Sequence, residues 1–92
     1  MDNLSDNISL TVTTRLSGDV APMGAVGKNK NYLVPTDLGI SLLLTTKASE
    51  SLIRSMFPRY SRVHVTGKVI ELMTGGSFTQ VLKVDSIEVL PS

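Results

Sequence analysis

The chain has 92 residues, enough for one domain with its own core and too few for two. Nine basic and eight acidic side chains leave a formal charge of +1, so no overall field draws the chain to nucleic acid or anionic lipid, and such binding has to come from a local patch. The absence of cysteine excludes a disulfide framework, thiolate chemistry and a cysteine metal site; packing alone must hold the fold, and a reducing, cytoplasmic setting is favoured.

Residues 1–7 are polar and acidic and read as a flexible lead to a domain spanning residues 8–92. A secretory signal would be basic and then apolar there, and nowhere does an apolar run approach the ~20 residues of a membrane-spanning helix. From Ile8 the alternation of Ile8, Leu10, Val12, Thr14 and Leu16 against Ser9, Thr11, Thr13 and Arg15 predicts a half-buried strand, with Gly18 allowing a bend and continuation through Val20. Ala21 to Asn31, APMGAVGKNKN, is rich in Gly and Asn and reads as a loop. Tyr32-Leu33-Val34 is a second strand halted by Pro35, Asp37-Leu38-Gly39 a turn, and Gly39 to Thr45 a third strand with Ile40, Leu42 and Leu44 on one face. The period then changes. Leu52, Ile53, Met56 and Phe57 recur at helical spacing between an N-cap at Thr46 and a stop at Pro58, which predicts a short helix from Thr46 or Lys47 to Phe57. Pro58 to Ser61 is a connector.

Val63 to Leu90 reads as two long strands around a Gly75-Gly76 turn, whose glycines accept positive φ. Pairing outward from that turn sets Met73 opposite Phe78, Ile70 opposite Val81, Val69 opposite Leu82, Lys68 opposite Lys83 and Gly67 opposite Val84. Beyond this the apolar residues fall out of step. One extra residue at Asp85-Ser86 restores the match, with Val65 against Ile87 and Val63 against Val89, so a β-bulge is expected there and the ribbon should bend.

Strand, strand, strand, helix, strand, strand is the layout of a five-stranded Greek-key barrel with one short α-helix between strands three and four. The chain resembles the oligonucleotide/oligosaccharide-binding (OB) fold, and in particular small single-domain bacterial members. The resemblance runs from Ile8 to Leu90 and rests on Tyr32-Leu33-Val34, Gly39 to Leu44, the short helix and Val65-Thr66-Gly67-Lys68-Val69. It implies an all-β barrel whose helix, through Leu52, Met56 and Phe57, stoppers the open end. It also implies a binding module whose ligand the fold alone leaves open: single-stranded DNA or RNA, a sugar, or another protein.

Under that resemblance a nucleic-acid strand would cross strands two and three, between Lys28, Lys30 and Tyr32 on one side and Phe78 beside the Gly75-Gly76 turn on the other. The competing reading packs both rings against the barrel and leaves the lysines as solubilising charges. A second basic cluster, Arg54, Arg59, Arg62, His64 and Lys68, includes Tyr60 and meets only Glu50 as an opposing charge between Glu50 and Lys68; Arg59, Arg62 and Lys68 are candidates for phosphate contact, against a plain solvated face. His64 is the single histidine and has no partner motif for zinc, no Ser-His-Asp or paired-carboxylate pattern appears, and GAVGKNKN lacks the spacing and ending of a phosphate loop. The chain therefore reads as a non-catalytic module without metal or cofactor, with single-stranded nucleic acid as the leading ligand. The alternatives are a protein-interaction or homo-oligomerisation module, using an outer apolar patch of Leu43, Ile70 and Val81, and an envelope domain, its leader removed, that binds a small ligand.

Overall fold

The structure, a computed structural model, describes residues 8–91, without the side chains of Ala25, Val26 and Thr74. The lead expected over residues 1–7 lies outside the described residues. Six strands and one helix follow in chain order: β1 (Ser9–Arg15), β2 (Ala21–Val26), β3 (Asn29–Val34), β4 (Ser41–Thr46), α1 (Glu50–Met56), β5 (Arg62–Thr74) and β6 (Ser77–Val89). They form one sheet in the order β1-β5-β6-β4-β3-β2, antiparallel except for β4 and β6, which run parallel. A parallel pair needs a crossover, and α1 lies in it.

The strand count corrects the expectation of five. Ala21 to Asn31 is not a loop but β2, a Gly27-Lys28 turn and the start of β3. Pro22 and Gly24 concealed the strand in the sequence. At a sheet edge proline costs no ladder hydrogen bond, and β2 is an edge; a bulge between Pro22 and Gly24 takes up the irregularity, with Gly24 at φ +106°. The continuation of the first strand through Val20 is also corrected: β1 ends at Arg15, residues 17–20 are not strand, and the chain next enters the sheet as β2 at the opposite edge. The end of β1 reaches across to the far side: Leu16 bridges Thr36, Ser17 N donates to Pro35 O at 3.0 Å, and Asp37 N donates to Arg15 O at 3.0 Å.

The β5–β6 hairpin has the register that its sequence predicts, from Met73 opposite Phe78 to Val63 opposite Val89, with Asp85 as the extra residue. Gly75 and Gly76 both take positive φ, +57° and +84°. At the bulge Gly67 lies against the β6 backbone so closely that a Cβ would collide with the carbonyl oxygen of Lys83. Only glycine permits that approach.

Inward side chains make one core: Leu16 after β1, Val20 before β2, Tyr32 and Val34 of β3, Leu42 and Leu44 of β4, Ile53 and Phe57 at the helix, Val63 and Val65 of β5 and Leu82 of β6. The helix needs two corrections. Its N-cap is Ser49, whose Oγ accepts from Leu52 N at 3.3 Å, while Thr46 Oγ1 accepts from Ala48 N. Its buried line is Ile53 and Phe57, four residues apart; Leu52 and Met56, one residue back on the helix, fall on the rim at 49% exposure each. The outer apolar patch is also corrected. Leu43 and Val81 do face away from the core cluster but are buried themselves, at 7% and 1% exposure, and Ile70 is half-buried, so the three offer little surface to a partner.

Candidate nucleic-acid interface

The structure divides the sequence-predicted site residues into three groups. The first is the crossing of β3 and β4, where the resemblance placed the ligand. Tyr32 faces inward, is 2% exposed, and donates its hydroxyl to Ala48 O at 2.8 Å; it is a core residue and offers no stacking face. The outward side chains here are Asn31 and Leu33 of β3 with Ser41, Leu43 and Thr45 of β4, and none is aromatic or cationic. Thr45 Oγ1 donates to Asn31 Oδ1 at 2.8 Å, so part of the polar capacity of this face is spent internally.

Lys28 and Lys30 are exposed at the β2–β3 end, where Lys30 and Glu50 line a shallow depression of about 260 Å³. Lys30 pairs with Thr46 at the end of β4, whereas Phe78 lies three residues before Val81, which pairs with Ser41 at the start of β4. At ~3.3 Å per residue this separates Lys30 and Phe78 by roughly 25 Å along the strands. Phe78 is 65% exposed, next to Met73 at the far end of the hairpin. The four residues of the first candidate site therefore do not converge.

The second group is neutralised. Arg59 grips Asp19, donating Nη2 to Oδ2 at 2.6 Å and Nε to Oδ1 at 3.3 Å. Arg54 donates to Glu50 Oε2 at 2.7 and 2.9 Å and stands 3.9 Å from Asp19. The hydrogen bond from Arg59 holds the Asp19 carboxyl below its ordinary range, with desolvation opposing it and the charges of Arg59 and Arg54 adding to it. The same bond raises the Arg59 guanidinium. Arg54 and Arg59 fasten the β1–β2 connection to the helix end rather than presenting free charge.

The third group is the outward face of β1, β5 and β6. Val63, Val65 and Gly67 of β5 point inward, so Arg62, His64, Thr66 and Lys68 point out. The register adds two cations to Arg62 and Lys68 on this face: Arg15 lies directly opposite Arg62, and Lys83 directly opposite Lys68. The two like-charged rungs are six residues apart along β5, about 20 Å. Between them stand Thr13 with His64 and Thr11 with Thr66, joined by side-chain hydrogen bonds of 2.9 and 3.0 Å. Glu88, opposite His64, is the one carboxylate that the ladder register sets on this face, and no described carboxylate lies within ion-pair distance of Arg15, Arg62, Lys68 or Lys83. The Lys68–Lys83 rung was legible in the hairpin register. Arg15 was not, because its pairing depends on a contact between residues 47 positions apart.

Like charges facing each other across a strand pair cost stability, and a polyanion laid along the rungs removes that cost. The arrangement suits a row of phosphates. Among the described residues no group of metal-ligating side chains gathers, and no helix is long and apolar enough to cross a membrane.

No protein-family model and no curated protein matches the chain. Among solved structures it is similar to the dimeric structure of the N-terminal domain of the PriB protein from Thermoanaerobacter tencongensis, with a TM-score of 0.68 at 14% identity, over 94% of this chain and 99% of that one. At such identity the likeness is one of backbone architecture, and it extends over nearly the whole sequence. The chain is a small OB-fold domain, built here on six strands.

Proposed function

We propose that the chain is a non-catalytic OB-fold module, a single domain over residues 8–92, that binds single-stranded nucleic acid along the outward face of β1, β5 and β6. The observation that carries this reading is the pair of like-charged rungs, Arg15 with Arg62 and Lys68 with Lys83, left without a carboxylate partner among the described residues. Phosphate neutralisation supplies most of the affinity in binding of this kind and needs cations in a row, not a preformed pocket. The β3–β4 face offers neither cation nor ring, so electrostatics favours the β5 side. The ligand also favours a cytoplasmic setting.

Titrating a labelled oligothymidylate at several salt concentrations tests the reading. Each neutralised phosphate of a single strand contributes about 0.7 to the slope of log affinity against log salt, so four cations predict a slope of about −3. Between 50 and 200 mM salt the affinity should fall by roughly fiftyfold. Absence of binding at low salt, or binding indifferent to salt, would reject it.

A homo-oligomer is the second reading, favoured by the dimeric state of the structural neighbour and by the exposed pair Met73 and Phe78 at the hairpin end. Sedimentation of the free chain distinguishes the two: an apolar interface should persist at high salt, where the nucleic-acid complex dissociates.

A further inference from the structure

Tyr60 combines three features that the connector between α1 and β5 does not need. Its φ is +72°, the left-handed region that glycine or asparagine adopts readily and a bulky residue rarely does; it is the one described residue other than glycine with positive φ. The residue is 62% exposed, although an aromatic residue that serves packing would be covered. The Arg59 guanidinium lies over the ring, 6.0 Å from its centroid, and is itself clamped by Asp19.

The backbone fixes Tyr60 beside the cation ladder. Tyr60 N donates to Leu16 O and Leu16 N to Ser61 O, each at 2.9 Å, extending the β1–β5 ladder one step beyond the Arg15–Arg62 rung. Of the four aromatic residues, Tyr32 and Phe57 are buried and Phe78 stands at the opposite end of the long hairpin. Tyr60 is thus the exposed ring at the Arg15–Arg62 end of the face. Single-strand sites couple cations that follow the backbone with rings that receive bases, and the ladder by itself has only the cations.

We infer that Tyr60 is a base-stacking platform that ends the cation ladder, its left-handed backbone holding the ring outward beside Arg62 and its orientation set by the Asp19–Arg59 clamp. This rests on the single-strand reading above. A strand bound here lays its phosphates along Lys68, Lys83, Arg15 and Arg62 and places one base on the Tyr60 ring.

The test compares two strands of equal length, an oligothymidylate and an abasic strand with the same phosphates. Tyr60→Gly suits the positive φ and should melt at or above the wild-type temperature. It should bind the oligothymidylate about fivefold to a hundredfold more weakly than wild type. The abasic strand should bind both proteins equally, and Tyr60→Phe should keep the wild-type affinity for both strands. Oligothymidylate should also quench the tyrosine fluorescence of the wild type but not that of Tyr60→Phe, in which the buried Tyr32 remains. Should the glycine variant fail to fold, Tyr60→Asn, also compatible with positive φ, takes its place. If the wild type binds both strands and Tyr60→Gly weakens neither, the platform is refuted and the ladder stands. If the wild type binds neither strand at low salt, the ladder reading fails as well.

Discussion

Replacing Arg15 with glutamine should make the protein more stable and a weaker binder at the same time. Arg15 and Arg62 are directly opposed on exposed strands, which sets their Cβ atoms about 5 Å apart. Two unit charges at that distance repel by about 0.8 kcal/mol in water, an upper figure because the long side chains can splay. For a chain of this size that gain corresponds to a rise in melting temperature of up to about 5 °C. At 1 M salt the screening length shrinks to about 3 Å and the gain should vanish. The assay is a pair of thermal melts, in low and high salt, set beside the oligothymidylate titration. Arg15→Gln should lower the magnitude of the salt slope by about 0.7. If the variant melts lower than wild type in low salt, or gains equally in both salts, the charges are not opposed as the register requires. An unchanged slope would separate the rung from binding.

Gly67→Ala should cost at least about 1–3 kcal/mol in denaturant unfolding, because its Cβ meets the backbone of Lys83 and not a side chain that can move; an unchanged midpoint would show that the strands are not so close. Thr14→Val should gain about 1 kcal/mol, since the buried Thr14 hydroxyl has no hydrogen-bond partner among the described residues; a loss would reveal a partner. Tyr32→Phe should cost about 1–2 kcal/mol by leaving the Ala48 carbonyl without its donor, yet leave oligothymidylate affinity unchanged, whereas weakened binding would return Tyr32 to the site. Asp19→Asn should be less stable than wild type at neutral pH. The Asp19 carboxyl titrates lower when folded than its free value of 3.8, so its contribution is complete above that value and drains away as pH falls through the depressed one. The wild-type advantage should therefore be flat near neutrality and shrink in acid below 3.8.

What the sequence disclosed was whatever depends on neighbours in the chain. The Gly75-Gly76 turn fixes the hairpin register locally, and the phase slip at Asp85 shows the bulge, so the opposition of Lys68 and Lys83 is legible in the residue order alone. The helix was legible from its period, but which line of it is buried was not. Leu52 with Met56 and Ile53 with Phe57 are equally apolar, and the sheet beneath decides between them. β2 was hidden because Pro22 and Gly24 announce a break that a strand at the margin of a sheet tolerates. The site misled most where the fold's usual binding face was transferred to this chain. Tyr32 looks like a base platform next to Lys28 and Lys30, and only its inward direction, set by the parity of β3, makes it core. Arg15 entered the site through a pairing across most of the chain, which no local pattern signals.

The position of β1 and β2 at the two margins of the sheet restricts its shape through chain length alone. Laid flat, six strands would hold their outermost members five spacings apart, about 24 Å at the usual separation. Yet the tether from Arg15 to Ala21 spans at most about 21 Å when fully drawn out. A planar arrangement is out of reach however the side chains are chosen.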